Sequence, residues 1–139
     1  MAKEAELVFR TENPVNFEVA DAASIPKGTV LKAADGMEAS AATGDEDIVA
    51  GIAAAEKIAN DGVTKIPVFR RGIFRMHLRT STTAGQSVST YADAGDTNDL
   101  VPATSTATGA KILGIALENK DDAVGLVELN VGANNNAYA

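Results

Sequence analysis

The clearest regularity along the chain is alternation of apolar and polar positions over short runs, the period-two signature of half-buried β-strands. Val15, Phe17 and Val19 alternate with Asn16, Glu18 and Ala20. Phe74, Met76 and Leu78 alternate with Arg75, His77 and Arg79, so one face is apolar and the other basic. Gly125 to Val131 alternates cleanly through Leu126, Val127, Glu128 and Leu129. Shorter strand signals occur at Leu7-Val8-Phe9, Thr29-Val30-Leu31 and Ser87 to Tyr91. Turn residues separate them: Pro14, Pro26-Lys27-Gly28, Asp35-Gly36, Asn60-Asp61-Gly62 and Asp121-Asp122. Residues 37 to 47 are small and polar, and residues 80 to 109 form a long connection rich in Ser, Thr, Gly and Asp.

Asp45 to Asn60 carries two competing signals. Its Ala, Glu and Lys content favours helix, and Ile48, Ile52, Ala55 and Ala59 fit helical spacing. An internal repeat argues for strand over Val49 to Lys57. Gly51-Ile52-Ala53 recurs as Gly114-Ile115-Ala116, each after an apolar pair and each followed by Glu and Lys. An upstream Gly turn and a downstream strand recur with it, at an offset close to sixty residues. Glycine inside a strand marks a bulge or a close backbone approach. The expected fold is mainly β with little helix, a compact β-barrel or β-sandwich made from two related strand units. Residues 1–13 form an extended N-terminal arm. Residues 14–132 form a single β-rich domain whose repeats run over about 25–79 and 83–131. Residues 133–139, rich in Asn and Ala, form a flexible tail.

Composition narrows the function. The 139 residues are 45% hydrophobic but include only four Phe, two Tyr and no Trp. A core without large aromatics is thin, which hints at burial shared between subunits. There are no cysteines, which excludes disulfides, thiolate metal sites and Cys nucleophiles. No signal-peptide pattern is seen, and the longest apolar run, Ile48 to Ala55, is far below the roughly 20 residues of a membrane-spanning helix. No membrane partner is expected.

The net charge of −7 opposes nonspecific nucleic-acid binding, which relies on Lys and Arg. Charge is uneven, because Lys65 to Arg79 holds five Lys/Arg and no carboxylate. Arg70, Arg71, Arg75, His77 and Arg79 have three readings: phosphate contacts, ion pairs within or between subunits, or a solvated face. The acidic surplus of the chain favours the last two.

Candidate chemistry is sparse. One histidine and no cysteine cannot assemble a zinc site. Asp45-Glu46-Asp47 and Asp93 to Asp99 do not match a calcium loop and read as solvated loop carboxylates. No nucleophile elbow, P-loop or dinucleotide fingerprint occurs. The expectation is a protein that is not an enzyme and has no catalytic residue, metal or cofactor.

Ile25-Pro26-Lys27-Gly28-Thr29-Val30-Leu31, Asp35-Gly36, Ile48 to Ala53, Ile66-Pro67-Val68 and Gly72-Ile73-Phe74 resemble the decoration, or cement, proteins of tailed-virus capsids. Ile112 to Ala116 and Gly125 to Leu129 fit the same pattern, so the resemblance spans about residues 25 to 131. It implies a β-rich homotrimer, made in the host cytoplasm, that binds the major capsid protein on the outer surface of the head and stabilises the shell. It further implies a capsid-binding arm, here Leu7, Val8, Phe9 and Arg10, with the basic stripe as a subunit or capsid interface. The alternative is a β-clip-like carbohydrate- or ligand-binding module, because the I-P-K-G-T-V-L segment also resembles the entry strand of such domains.

Overall fold

A computed structural model describes residues 4–43, 47–91, 99–102 and 111–131. Asp45 and Glu46, most of the 93–99 acidic run and the 133–139 tail lie outside the described residues. Eleven β-strands are described: β1 Glu6–Phe9, β2 Val15–Glu18, β3 Val30–Ala34, β4 Glu38–Ala41, β5 Val49–Ala53, β6 Lys65–Phe69, β7 Arg71–Leu78, β8 Ser87–Thr90, β9 Asp99–Pro102, β10 Gly114–Ala116 and β11 Ala123–Asn130. No α-helix occurs among the described residues. The protein is mainly β, built as two related barrels.

The first barrel closes in the order β2-β4-β3-β5-β6. The second follows the same plan with β7, β9, β8, β10 and β11 in the equivalent places, and β1 adds to β7 as a sixth strand. Each barrel contains one parallel pairing, β2 with β4 and β7 with β9; its other neighbours are antiparallel. The backbone bonds agree in detail. Ile25 and Lys57 exchange two N–H···O bonds, as do Thr82 and Lys120. The Gly28 N–H donates to the Ala53 carbonyl, and the Gly85 N–H to that of Ala116, at 2.9 and 2.8 Å. Strand order places the two units at β2–β6 and β7–β11, so β7 opens the second unit instead of closing the first. The two opening strands share alternation but no sequence marker, which is why the repeat is legible only from the glycine turns before β3 and β8 onward.

The G-I-A tripeptides fall on equivalent strands, β5 and β10. A Cβ on Gly51 would lie 2.1 Å from the Phe69 carbonyl oxygen, and one on Gly114 would lie 1.9 Å from that of Glu128. The repeated glycine is therefore a close backbone approach between neighbouring strands.

Strand β5 also resolves the helix–strand conflict. The β3–β5 register shifts between Leu31 and Lys32, which places a bulge in β5. Ala50 and Ala53 then face the first barrel's interior with Phe17, Leu31, Ile66 and Val68. Val49 and Ile52 face the other way, into the second core beside Phe74, Met76, Leu78, Leu100 and Val127. Of the positions at helical spacing only Ile52 is buried in β5; Ile48 is half exposed and Ala59 lies in an exposed turn, so that spacing marks no single buried face. The second core is thus shared, since Val30, Ala42 and Phe69 of the first unit join it. Phe69 meets Phe74 edge-on, with ring centroids 5.7 Å apart. Each such buried side chain contributes on the order of 2 kcal/mol.

Two strands lie where the sequence reads as polar connection. β4 occupies the small, polar segment after Asp35-Gly36, and β9 lies inside the Ser/Thr/Asp-rich stretch. Both are short and carry few large apolar residues. Antiparallel pairing with β3 and β8 holds them in place; strand propensity has little part in it at β4, whereas β9 carries Leu100 and Val101.

Candidate functional site

The arm residues and the basic stripe meet on β7. β1 pairs antiparallel with β7, with Glu6 opposite Arg75, Leu7 opposite Phe74 and Phe9 opposite Ile73. The register shift between Leu7 and Phe9 marks a bulge, a device that makes an edge strand a poorer template for further pairing. The Ala5 N–H donates to the Gly28 carbonyl at 2.8 Å and ties the start of the arm to the first barrel. The extended N-terminal segment is therefore docked on its own barrel. Leu7 and Phe9 remain 37% and 62% exposed, Val8 is half-buried, and Arg10 donates to Asn13 Oδ1 at 2.7 Å. Leu7, Ala5, Ala54 and Phe69 line an apolar groove rimmed by Glu4 and Lys27.

The stripe divides into three groups. Arg70, between β6 and β7, holds its guanidinium carbon 5.6 Å from the centre of the Phe17 ring. Arg71 and Arg75 face Glu12 and Glu6 at 3.8 and 3.6 Å, as exposed pairs worth at most about 1 kcal/mol each. His77 and Arg79 converge on Asp99. His77 Nδ1 makes a short contact with Asp99 Oδ1, and its Nε2 lies 3.1 Å from Asp122 Oδ1. Arg79 Nη1 lies 3.4 Å from Asp99 Oδ2, and its guanidinium sits 4.5 Å from the Tyr91 ring centre. Arg71, Arg75, His77 and Arg79 thus pair with carboxylates of their own chain. Asp99 corrects the reading of its run as solvated, because it is fully buried as the first residue of β9. The Leu100-Val101-Pro102 run that follows it is the signal that could have placed it in a strand.

A second polar cluster has no counterpart in the sequence reading. Lys57 is only 1% exposed. Its ammonium donates to the carbonyls of Asp21 and Ile58 at 2.8 and 2.6 Å, to Asp61 Oδ1 at 2.6 Å and to Asp21 Oδ1 at 3.3 Å. The Gly62 N–H donates to Asp21 Oδ1 at 2.8 Å, and the Val63 N–H to Asp61 Oδ1 at 2.9 Å. Burial alone pulls the Lys57 ammonium down. Hydrogen bonds and charge from Asp61 and Asp21 outweigh it and leave the group above its ordinary 10.5. The hydrogen bond from Lys57, then that from the Val63 amide, holds the Asp61 carboxyl below 3.8. Lys57 acts as an internal cation that gathers the 21–25 and 57–63 loops at one end of the first barrel.

The signs set a pH prediction. A carboxyl lowered by folding contributes stability above its unfolded value, and that contribution is lost as pH falls through the folded one. An ammonium raised by folding contributes below 10.5, and loses it only as pH climbs through its folded value. Urea unfolding of the chain and of Asp61→Asn should therefore differ most near neutrality. The gap should narrow as pH falls below about 3.8. A gap that is constant down to pH 2 would show that Asp61 is not held by this pairing.

Among the described residues, no three His, Asp or Glu side chains are grouped so as to hold a metal ion. No family model matches the chain, and no curated protein matches it. Among solved structures, it is similar to the N base of the head fiber gp8.5 of bacteriophage phi29, with a TM-score of 0.53 and 13% sequence identity. The match covers 84% of this chain and 92% of that one, and at this identity it is a likeness of fold.

Proposed function

We propose that this chain is a head-associated structural protein of a tailed virus, a decoration protein that binds the outer surface of the capsid and stabilises the shell. The observation that carries this reading is the fold match to a phage head-fiber base over most of both chains. The resemblance of residues 25 to 131 to decoration proteins points the same way. In this reading the chain is a homotrimer, is not an enzyme, has the major capsid protein as its partner, and uses neither nucleic acid nor membrane. Its acidic surface suits an exterior position away from packaged DNA.

Within this reading the arm contacts the capsid through the part of β1 left exposed, centred on Phe9. Removing residues 2–12 is a poor test, because it also strips β1 from β7. Phe9→Glu is better, since 62% of that residue already faces solvent. The chain should co-sediment saturably with undecorated heads. Phe9→Glu should weaken that binding at least about tenfold while leaving the melting temperature almost unchanged. Sedimentation equilibrium should give three times the chain mass. Absence of head binding, or glycan binding in its place, would overturn the decoration reading.

A further inference from the structure

Residues opposite one another on paired strands point to the same side of a sheet, so the register fixes what the second barrel turns outward. Arg75 and His77 on β7 stand opposite Leu126 and Val124 on β11, and Glu128 stands opposite Ile115 on β10. The Leu117 N–H donates to the Leu126 carbonyl at 2.8 Å and extends this face past the end of β10. The alternate residues of β11, Gly125, Val127 and Leu129, are buried. Leu117 and Val124 are 39% and 53% exposed, and Ile115 and Leu126 are half-buried. Four aliphatic side chains thus share one outer face.

The first unit shows what such a face is for. Ser87, Ile115 and Glu128 stand opposite one another as Val30, Ile52 and Phe69 do in the first unit. Val30, Ile52 and Phe69 are buried in the second core, so a barrel of the same plan covers that row. Two and four residues back along β6 and β11, Pro67 and Lys65 match Leu126 and Val124. The fold itself therefore does not call for aliphatic residues at these places. The second unit comes last in the duplication and has no third barrel in the chain to cover its face.

We propose, building on the homotrimer of the reading above, that the outer face around Ile115, Leu117, Val124 and Leu126 is where copies of this chain assemble, with a second copy as its occupant.

The charges on the face fit a copy of itself. Arg75 and Glu128 are diagonal neighbours on it, one strand and two residues apart. A face that carries both signs complements a rotated copy: about a rotation axis, Arg75 of each copy meets Glu128 of the next. The Arg75 contact with Glu6, at 3.6 Å, is exposed and leaves guanidinium donors to spare. A partner of a single sign would match only one of the two. The chain as a whole carries −7, so copies repel unless they meet on a face of mixed sign.

The test uses the whole chain, which has no cysteine of its own. Leu117→Cys and Val63→Cys each introduce one thiol, at sites 39% and 43% exposed in the single chain. In the assembled protein, Leu117→Cys should react with a maleimide at least about tenfold more slowly than Val63→Cys, and dilution to single chains should bring the rates together. Leu117→Glu combined with Val124→Glu should lower the mass at sedimentation equilibrium from three chains to one. Ile58→Glu combined with Val63→Glu adds the same charge to exposed aliphatic sites of the first barrel and should leave the mass unchanged. Equal maleimide rates in the assembled protein, or a folded Leu117→Glu, Val124→Glu variant that keeps its mass, would overturn this face as the interface and leave the trimer standing. Protection of Leu117→Cys that arises only on undecorated heads would give the face to the capsid instead. A chain that is monomeric at about 0.1 mM would overturn both the face and the trimer. Co-sedimentation of the unaltered chain with heads judges the decoration reading separately.

Discussion

Gly114→Ala should cost about 3 kcal/mol or more and leave little folded protein, with Gly51→Ala close behind. The added methyl of Gly114→Ala would sit 1.9 Å from the Glu128 carbonyl oxygen and 3.1 Å from the Leu129 Cα. Those are backbone atoms of β11, held by pairing to both β10 and β7, so no side-chain rotation relieves the overlap. Either β10 leaves β11 or the barrel wall shifts. At Gly51 the clash is with the Phe69 carbonyl on β6, and the residue also has φ +146°, where side chains are strained. Gly36→Ala and Gly62→Ala are the controls. A Cβ meets nothing within 4 Å at either site, so only the positive φ penalty, about 1 kcal/mol, applies. Urea midpoints should place both strand variants far below both turn variants. A Gly114→Ala midpoint level with that of Gly36→Ala would show that the two strands can part without cost.

Lys57→Met should be the most damaging change at a charged position, lowering the melting temperature by on the order of 10 °C. Methionine keeps much of the stem volume, so the loss comes from the missing donor. Two carbonyls and two carboxylates converge on one ammonium, and its removal leaves two like charges facing each other beside unmet acceptors. Lys57→Arg should not rescue, because a planar guanidinium cannot replace a point donor inside that ring of oxygens. Lys120→Met is the internal control. Lys120 occupies the matching place in the second unit and makes the same backbone bridge, but it is half-buried. Its loss should shift the melting temperature by no more than a few degrees. Equal effects at the two lysines would show that the backbone bridge, and not the buried ammonium, holds the loops.

These two sites mark how far sequence reasoning reaches. Gly51 and Gly114 were visible as a pair because the same backbone approach recurs in both units, and a position that needs the absence of a side chain leaves a mark in the sequence. Lys57 was visible only as part of the Glu-Lys sequel to the repeat. Asp61 lies only four residues on, but nothing local separates a buried lysine from a solvated one, because the burial depends on Asp21, which comes from the far end of the unit and is brought alongside by the β2–β6 pairing. Asp99 was hidden in the same way within an acidic run. The stripe from Arg70 to Arg79 was evident as alternation, but three different sets of partners divide it. Those partners lie on β1 and β2 and in the link between them, on β9, and in the turn before β11.

Period-two alternation, turn residues and the repeated glycine were enough to determine strands, a mainly β fold and two related units, because each depends on the neighbours of a residue along the chain. Closure of the two barrels, the hand-over at Arg70, the bulge in β5 and the arm's seat on β7 were decided by tertiary structure. Each depends on which strand edge meets which, at separations from 17 residues (Lys32 with Val49) to 69 (Glu6 with Arg75), and pairing energies between edges leave no periodic trace in the chain. The same holds for the polar clusters. A charge's burial is set by the walls that close around it, and those walls exist only once both barrels have formed.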